Sequence, residues 1–160
     1  MTQKKILIGA ILIIFLGFIL PYLLKQTKIQ KPAKLEDAVL VDTIIDGISF
    51  KALPKELATA MADMAEGKVI GFEALESLQS LSSRADESSE ILLALTWLQV
   101  EVVRSGVYID DLRKDLEIGS SFYNRYIDEY GPNYSSSLLP VAEKLDAVEA
   151  RVQRFEENPL

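Results

Sequence analysis

Between Ile6 and Leu24 the chain reads ILIGAILIIFLGFILPYLL, without one charged side chain. At about 1.5 Å per helical residue this run spans roughly 28 Å, close to the hydrocarbon thickness of a bilayer. Lys4 and Lys5 stand in front of it, and Lys25, Lys28, Lys31 and Lys34 come after. The segment therefore reads as a single transmembrane helix, and the remainder of the chain as a tethered domain.

A cleavable signal peptide has a shorter apolar core, about 7–15 residues, ending in a small-x-small site. Here the core is longer and leads into Pro21-Tyr22-Leu23-Leu24-Lys25, so an uncleaved anchor is expected. Pro21 falls in the last turn, where losing one backbone bond costs least. Tyr22 is placed for the headgroup level. Ala10 and Gly17 lie seven apart and would permit close approach of a second helix, but a plain anchor explains them as well. The order expected is a tail at 1–5, the anchor at 6–24, a lysine collar at 25–34, a linker or short helix/extended segment at 35–53, and a helical domain at 54–160.

Two arguments about orientation pull apart. Lysines near a membrane tend to stay cytoplasmic, and four of them stand just beyond the anchor. Short lysine-tipped N-termini also tend to stay inside, with the domain beyond the anchor exported. The expectation is a bacterial inner-membrane protein with its C-terminal domain on the exported side.

Residues 1–34 hold six of the 17 basic side chains and none of the 24 acidic ones, which leaves residues 35–160 with a net charge of −13. Such a domain is repelled by phosphate, which argues against nucleic acid as a partner. Anionic headgroups repel it too, while Lys25, Lys28, Lys31 and Lys34 are attracted to them and are the candidate headgroup contacts.

The chain has no cysteine and no histidine. The domain must fold on its apolar core alone, and its length suffices for one core. Disulfides, cysteine or histidine-assisted nucleophiles, zinc fingers and His-ligated metals are all excluded. No phosphate-binding glycine loop, nucleophile elbow or calcium loop is present. A mechanism built on carboxylates, or on a Ser–Lys pair, is the enzymatic alternative. No cofactor is expected.

The domain reads as mainly α, a bundle of about five helices. Residues 35–50 are ambiguous: Val39, Val41, Ile44, Ile45 and Ile48 suit strands around an Asp46-Gly47 turn. Leu35, Ala38, Val39, Asp42 and Ile45 also fit a helix broken at Gly47, and a short helix followed by an extended stretch is preferred. From Pro54, the stripe Leu57, Ala60, Met61 and Met64 predicts a helix that Gly67 ends. Phe72, Leu75, Leu78 and Leu81 predict a shorter one. From Asp86 to Gly106 the chain is apolar nearly all round, with Ser88 or Ser89 as cap. Such a helix runs through the core, with Trp97 as filler rather than binding residue. Ile109, Leu112, Leu116, Gly119, Tyr123, Tyr126 and Tyr130 keep a 3-4 spacing that Gly131-Pro132 stops. Leu138, Val141, Leu145, Val148, Val152 and Phe155 repeat it, behind caps at Ser135–Ser137 and with Pro140 in the first turn. That spacing presents one narrow stripe to a partner helix, expected to be the preceding one.

The nearest thing to a site is the aromatic group Phe122, Tyr123, Tyr126, Tyr130 and Tyr134, with Arg125. Tyrosine and arginine bury area while keeping a polar handle, which enriches them at protein contacts. A half-buried core rim is the competing account.

The stretch LLALTWLQVEVVRSGVYIDDLRKDLE, with LLPVAEKLDAVEARVQRF further along the chain, resembles the C-terminal region of mitofilin-type membrane-organising proteins. Leu92, Leu93, Leu95, Leu98, Gly106, Tyr108, Leu112, Leu116, Leu139, Pro140, Leu145, Arg151 and Phe155 carry the likeness. The resemblance implies an N-terminal anchor, a domain in the periplasm or intermembrane space, self-association and a part in membrane shape. The long coiled coil between anchor and domain is missing here. The reading adopted is a membrane-anchored, non-catalytic helical scaffold or accessory subunit. Its partners are the bilayer and other membrane or periplasmic proteins, with a second copy as an option. Alternatives are a mitofilin-like organiser, a tethered carboxylate enzyme, and a small-molecule sensor.

Overall fold

The computed structural model describes residues 39–106 and 112–157. The apolar run Ile6–Leu24 and the collar lysines Lys25, Lys28, Lys31 and Lys34 lie outside them, as does Ile109. Among the described residues no helix is long and apolar enough to cross a membrane.

The first two elements are strands, β1 (Leu40–Ile45) and β2 (Ile48–Pro54), paired antiparallel. This corrects the preference for a helix before Gly47. Asp46 (φ 51°) and Gly47 (φ 77°) both take left-handed backbone, which matches the twist of a two-residue hairpin. Burial then has a period of two: Val41, Thr43 and Ile45 turn inward while Leu40, Asp42 and Ile44 face out. A helix over the same residues would have wasted the β-branched inner row. The ladder shifts between Val41 and Thr43, where Asp42 opposes both Lys51 and Ala52. Ala52 is forced to φ 52°, and Asp42 Oδ1 accepts its N–H at 2.9 Å.

Helix α1 (Lys55–Ala65) starts behind Pro54, whose φ of −52° is already helical, and buries Leu57, Ala58, Met61 and Met64 against the hairpin. Gly67 at φ 82° stops it. Helix α2 (Phe72–Gln79) runs directly into a 3₁₀ segment, Ser80–Glu87, where the Ser80 and Ser83 hydroxyls donate to carbonyls three residues back. Leu75, Leu78 and Leu81 are buried, but Phe72 is 59% exposed, so the stripe begins one turn later than its spacing suggests.

Helix α3 (Glu90–Ser105) is buried without interruption from Ile91 to Val103. It touches β2, α1, the 3₁₀ segment, α4 (Leu112–Tyr130) and α5 (Leu138–Glu157), so every face has a neighbour. That is what an all-round apolar helix requires. Trp97 is fully buried, as core filler should be. Gly106, in left-handed backbone at φ 65°, caps the helix.

The stripe of α4 faces α3. A Cβ on Gly119 would lie 3.3 Å from Gln99 Cβ, so the two helices approach closely there. The stripe of α5 is buried at Leu138, Val141, Leu145, Val148 and Val152, packing chiefly on α3 with α4 alongside. The expected hairpin with α4 alone is thus only half the contact. Phe155 continues the spacing but is 55% exposed. A second apolar cluster, of Val100, Val103, Leu116, Leu145, Val148 and Val152, joins the far ends of these three helices, with Tyr123 reaching both clusters.

Candidate interaction surface

The tyrosines of α4 form a graded series from core to solvent. Tyr126 is fully buried, Tyr130 half-buried, and Tyr134, just beyond the helix, 67% exposed. Their ring centroids are 5.5 Å and 5.7 Å apart in succession, within stacking range. The Tyr130 hydroxyl donates to Ala85 O at 2.7 Å, and burial raises its pKa. Burial raises that of Tyr126 too, reinforced by the charge of Glu90. Arg125 donates to Ser82 O at 2.8 Å and to Glu129 at 2.6 Å, which fastens α4 to the 3₁₀ segment. Phe122 packs on the main core. Five of the six residues singled out in the sequence, Phe122, Tyr123, Arg125, Tyr126 and Tyr130, therefore help hold the fold together.

Tyr134, the sixth, lines with Tyr123 an open groove of about 500 Å³ where α4 meets α5. Ile127, Leu138, Leu139 and Ala142 complete its apolar walls, and the connecting loop from Pro132 to Ser136 closes one end. Leu139 is 68% exposed there. It sits one position off the buried stripe, which turns it about 100° away from the core and into the groove. The sequence signal was the doubled Leu138-Leu139, whose second member the 3-4 spacing leaves unused.

The groove is rigidly based. Glu90, at the start of α3, accepts the Ser135 hydroxyl through Oε1, and the Ser137 hydroxyl lies 2.6 Å from Oε2. Ser137 Oγ also lies 3.0 Å from Ser49 O on β2, and Ser135 Oγ accepts the Ser137 N–H at 3.1 Å. Ser135 and Ser137, two of the three expected caps, thus spend their hydroxyls on Glu90 and the hairpin, anchoring the loop to two other elements.

No family model, curated protein or solved structure matches this chain.

A second polar constellation lies away from the groove, on α3. Glu101 is 2% exposed and meets two cations, Arg104 Nε at 2.6 Å and Lys144 Nζ at 3.0 Å. Lys144 also reaches Asp46 Oδ2 at 3.0 Å and stands 5.8 Å from the centre of the Trp97 ring. Burial works against its charge, yet hydrogen bonds to Glu101 and Asp46 prevail and raise its pKa above that of an ordinary lysine. Each charge here is answered by another, which makes the cluster a fastening rather than a reaction centre. Among the described residues no group of three or more Asp and Glu side chains could hold a metal ion.

Proposed function

We propose that this chain is a single-pass membrane-anchored, non-catalytic protein whose helical domain works by contact with other proteins, as a scaffold or accessory subunit. The anchor is Ile6–Leu24 and the collar lysines sit at the headgroups. The observation that carries the contact role is Leu139. A large aliphatic side chain is left 68% exposed beside an exposed tyrosine, in a groove whose base is held by Glu90. Isolated exposed apolar residues need no explanation, but grouped around a concavity they mark binding surfaces. The likeness to mitofilin-type proteins points toward the same layout of anchor and contact domain.

Two measurements test this reading. Reporter fusions after Leu160 should be active only on the exported side, with the anchor retained in the mature protein. Purification in mild detergent should yield a stoichiometric partner that Leu139→Asp with Tyr134→Asp releases, while the melting temperature stays put. A chain that purifies alone and turns over a substrate would support the carboxylate enzyme instead.

A further inference from the structure

Resting on that reading, the chemistry of the partner can be narrowed. We propose that the groove between α4 and α5 receives a basic segment of another protein, with one or two aliphatic side chains seated among Ile127, Tyr134 and Leu139 and lysines or arginines facing Glu143 and Asp146.

The apolar part of the site is set by shape. The concavity opens to solvent at the junction of two helices, which suits a segment lying across it better than an enclosed small molecule. Its loop is tied to Glu90 and Ser49 before any partner arrives, so little ordering is needed on binding.

The basic part is set by charge. Glu143 and Asp146 lie one turn beyond the groove-lining Leu139 and Ala142 on the same side of α5. Both carboxylates are exposed, and neither takes part in an ion pair among the described residues. The cations nearest in sequence are already engaged, Lys144 with Glu101 and Asp46, and Arg125 with Glu129. From Leu138 to Ala150, α5 carries no other basic residue. The rim therefore presents uncompensated negative charge on a domain of net −13. Opposite charge on a partner would speed encounter and fix its register. The same rim disfavours other occupants. A second copy would bring like charge against like, and anionic lipid or nucleic acid would be repelled.

The test uses the full chain in nanodiscs of zwitterionic lipid, with empty discs as control. The probe is a short fluorescent peptide with two leucines three apart and lysines at both ends. Its comparators carry glutamates at the ends or serines for the leucines. The lysine–leucine peptide should bind at least about tenfold tighter than either comparator and weaken as salt is raised. Leu139→Ser should reduce its affinity about tenfold, and the double change Glu143→Gln, Asp146→Asn should do the same while flattening the salt dependence. Equal binding of the glutamate peptide, indifference to Leu139→Ser, absence of binding, or self-association that Leu139→Ser abolishes would each overturn the proposal. A partner that co-purifies through Leu139 yet presents no basic segment would overturn it while leaving the contact role intact.

Discussion

Lys144 Nζ on α5 lies 3.0 Å from Oε1 of Glu101 on α3, and Glu101 is almost entirely buried. A carboxylate taken out of water is costly unless charged partners answer it. Because Lys144 also binds Asp46 in the hairpin turn, one ammonium joins β1–β2, α3 and α5, elements far apart in sequence.

Replacing Lys144 by methionine keeps most of its stem but leaves Glu101 with Arg104 alone. The expected loss is about 1–3 kcal/mol of unfolding free energy. Asp46→Asn removes only a surface partner and should cost under about 1 kcal/mol. Denaturant titration of both variants checks the order. Equal losses would mean that Glu101 does not depend on Lys144.

Alkaline pH should weaken the fold through three groups acting in the same direction. The pKa values of Lys144, Tyr126 and Tyr130 are all raised in the native state. The native protein then binds more protons than the unfolded one, so their contribution is complete below the ordinary values of 10.0 for tyrosine and 10.5 for lysine and disappears as pH climbs through the raised ones. Melting temperature should hold up to about pH 10 and fall beyond it. Absorbance titration near 295 nm should show a late fraction of phenol ionisation, that of Tyr126 and Tyr130, which coincides with unfolding. A melting temperature that rises with pH in this range would contradict the account.

The helices were legible because their apolar patterns match what they pack against. Ile91–Val103 is apolar on every side and has neighbours on every side; Leu138, Val141, Leu145, Val148 and Val152 all lie in the core. The hairpin was obscured because Val39, Asp42 and Ile45 fit a helical spacing as well as a strand. Only contact with α1 and α3 rewards the period of two. Phe72 and Phe155 extend their stripes in sequence but not in burial, since spacing cannot show where packing stops. The tyrosine group stood out as a site, yet its burial splits it, with Tyr126 in the core and Tyr134 at the surface. Leu139 passed unnoticed as a contact residue because its outward turn appears only once the register of α5 is fixed against α3.

Leu98→Asp would place an unpaired charge where 1% of the side chain is exposed. The cost of several kcal/mol is comparable to a typical total stability of about 5–15 kcal/mol. Circular dichroism of the full chain should show loss of cooperative unfolding. A sharp transition at an unchanged temperature would remove α3 from the centre of the core.

Ala52 occupies left-handed backbone at φ 52° within the bulge of β2, a region that costs a residue with a Cβ about 1–2 kcal/mol. Ala52→Gly should therefore stabilise by about 0.5–1 kcal/mol, although glycine within a strand ordinarily weakens it. Lys51→Gly, the adjacent comparator, should destabilise. Thermal melts of the two variants have opposite expected signs.

The central claim is that a membrane-tethered domain meets another protein through the α4–α5 groove. A photo-crosslinking amino acid at position 139 of the full chain, activated in its native membranes, tests this most directly, with the same group at exposed Ser83 as reference. Position 139 should give one discrete heterologous adduct, lost when Tyr134→Asp is added, and position 83 should give no such adduct. Adducts to lipid alone, to a second copy of the chain, or the same adduct from both positions would contradict the claim.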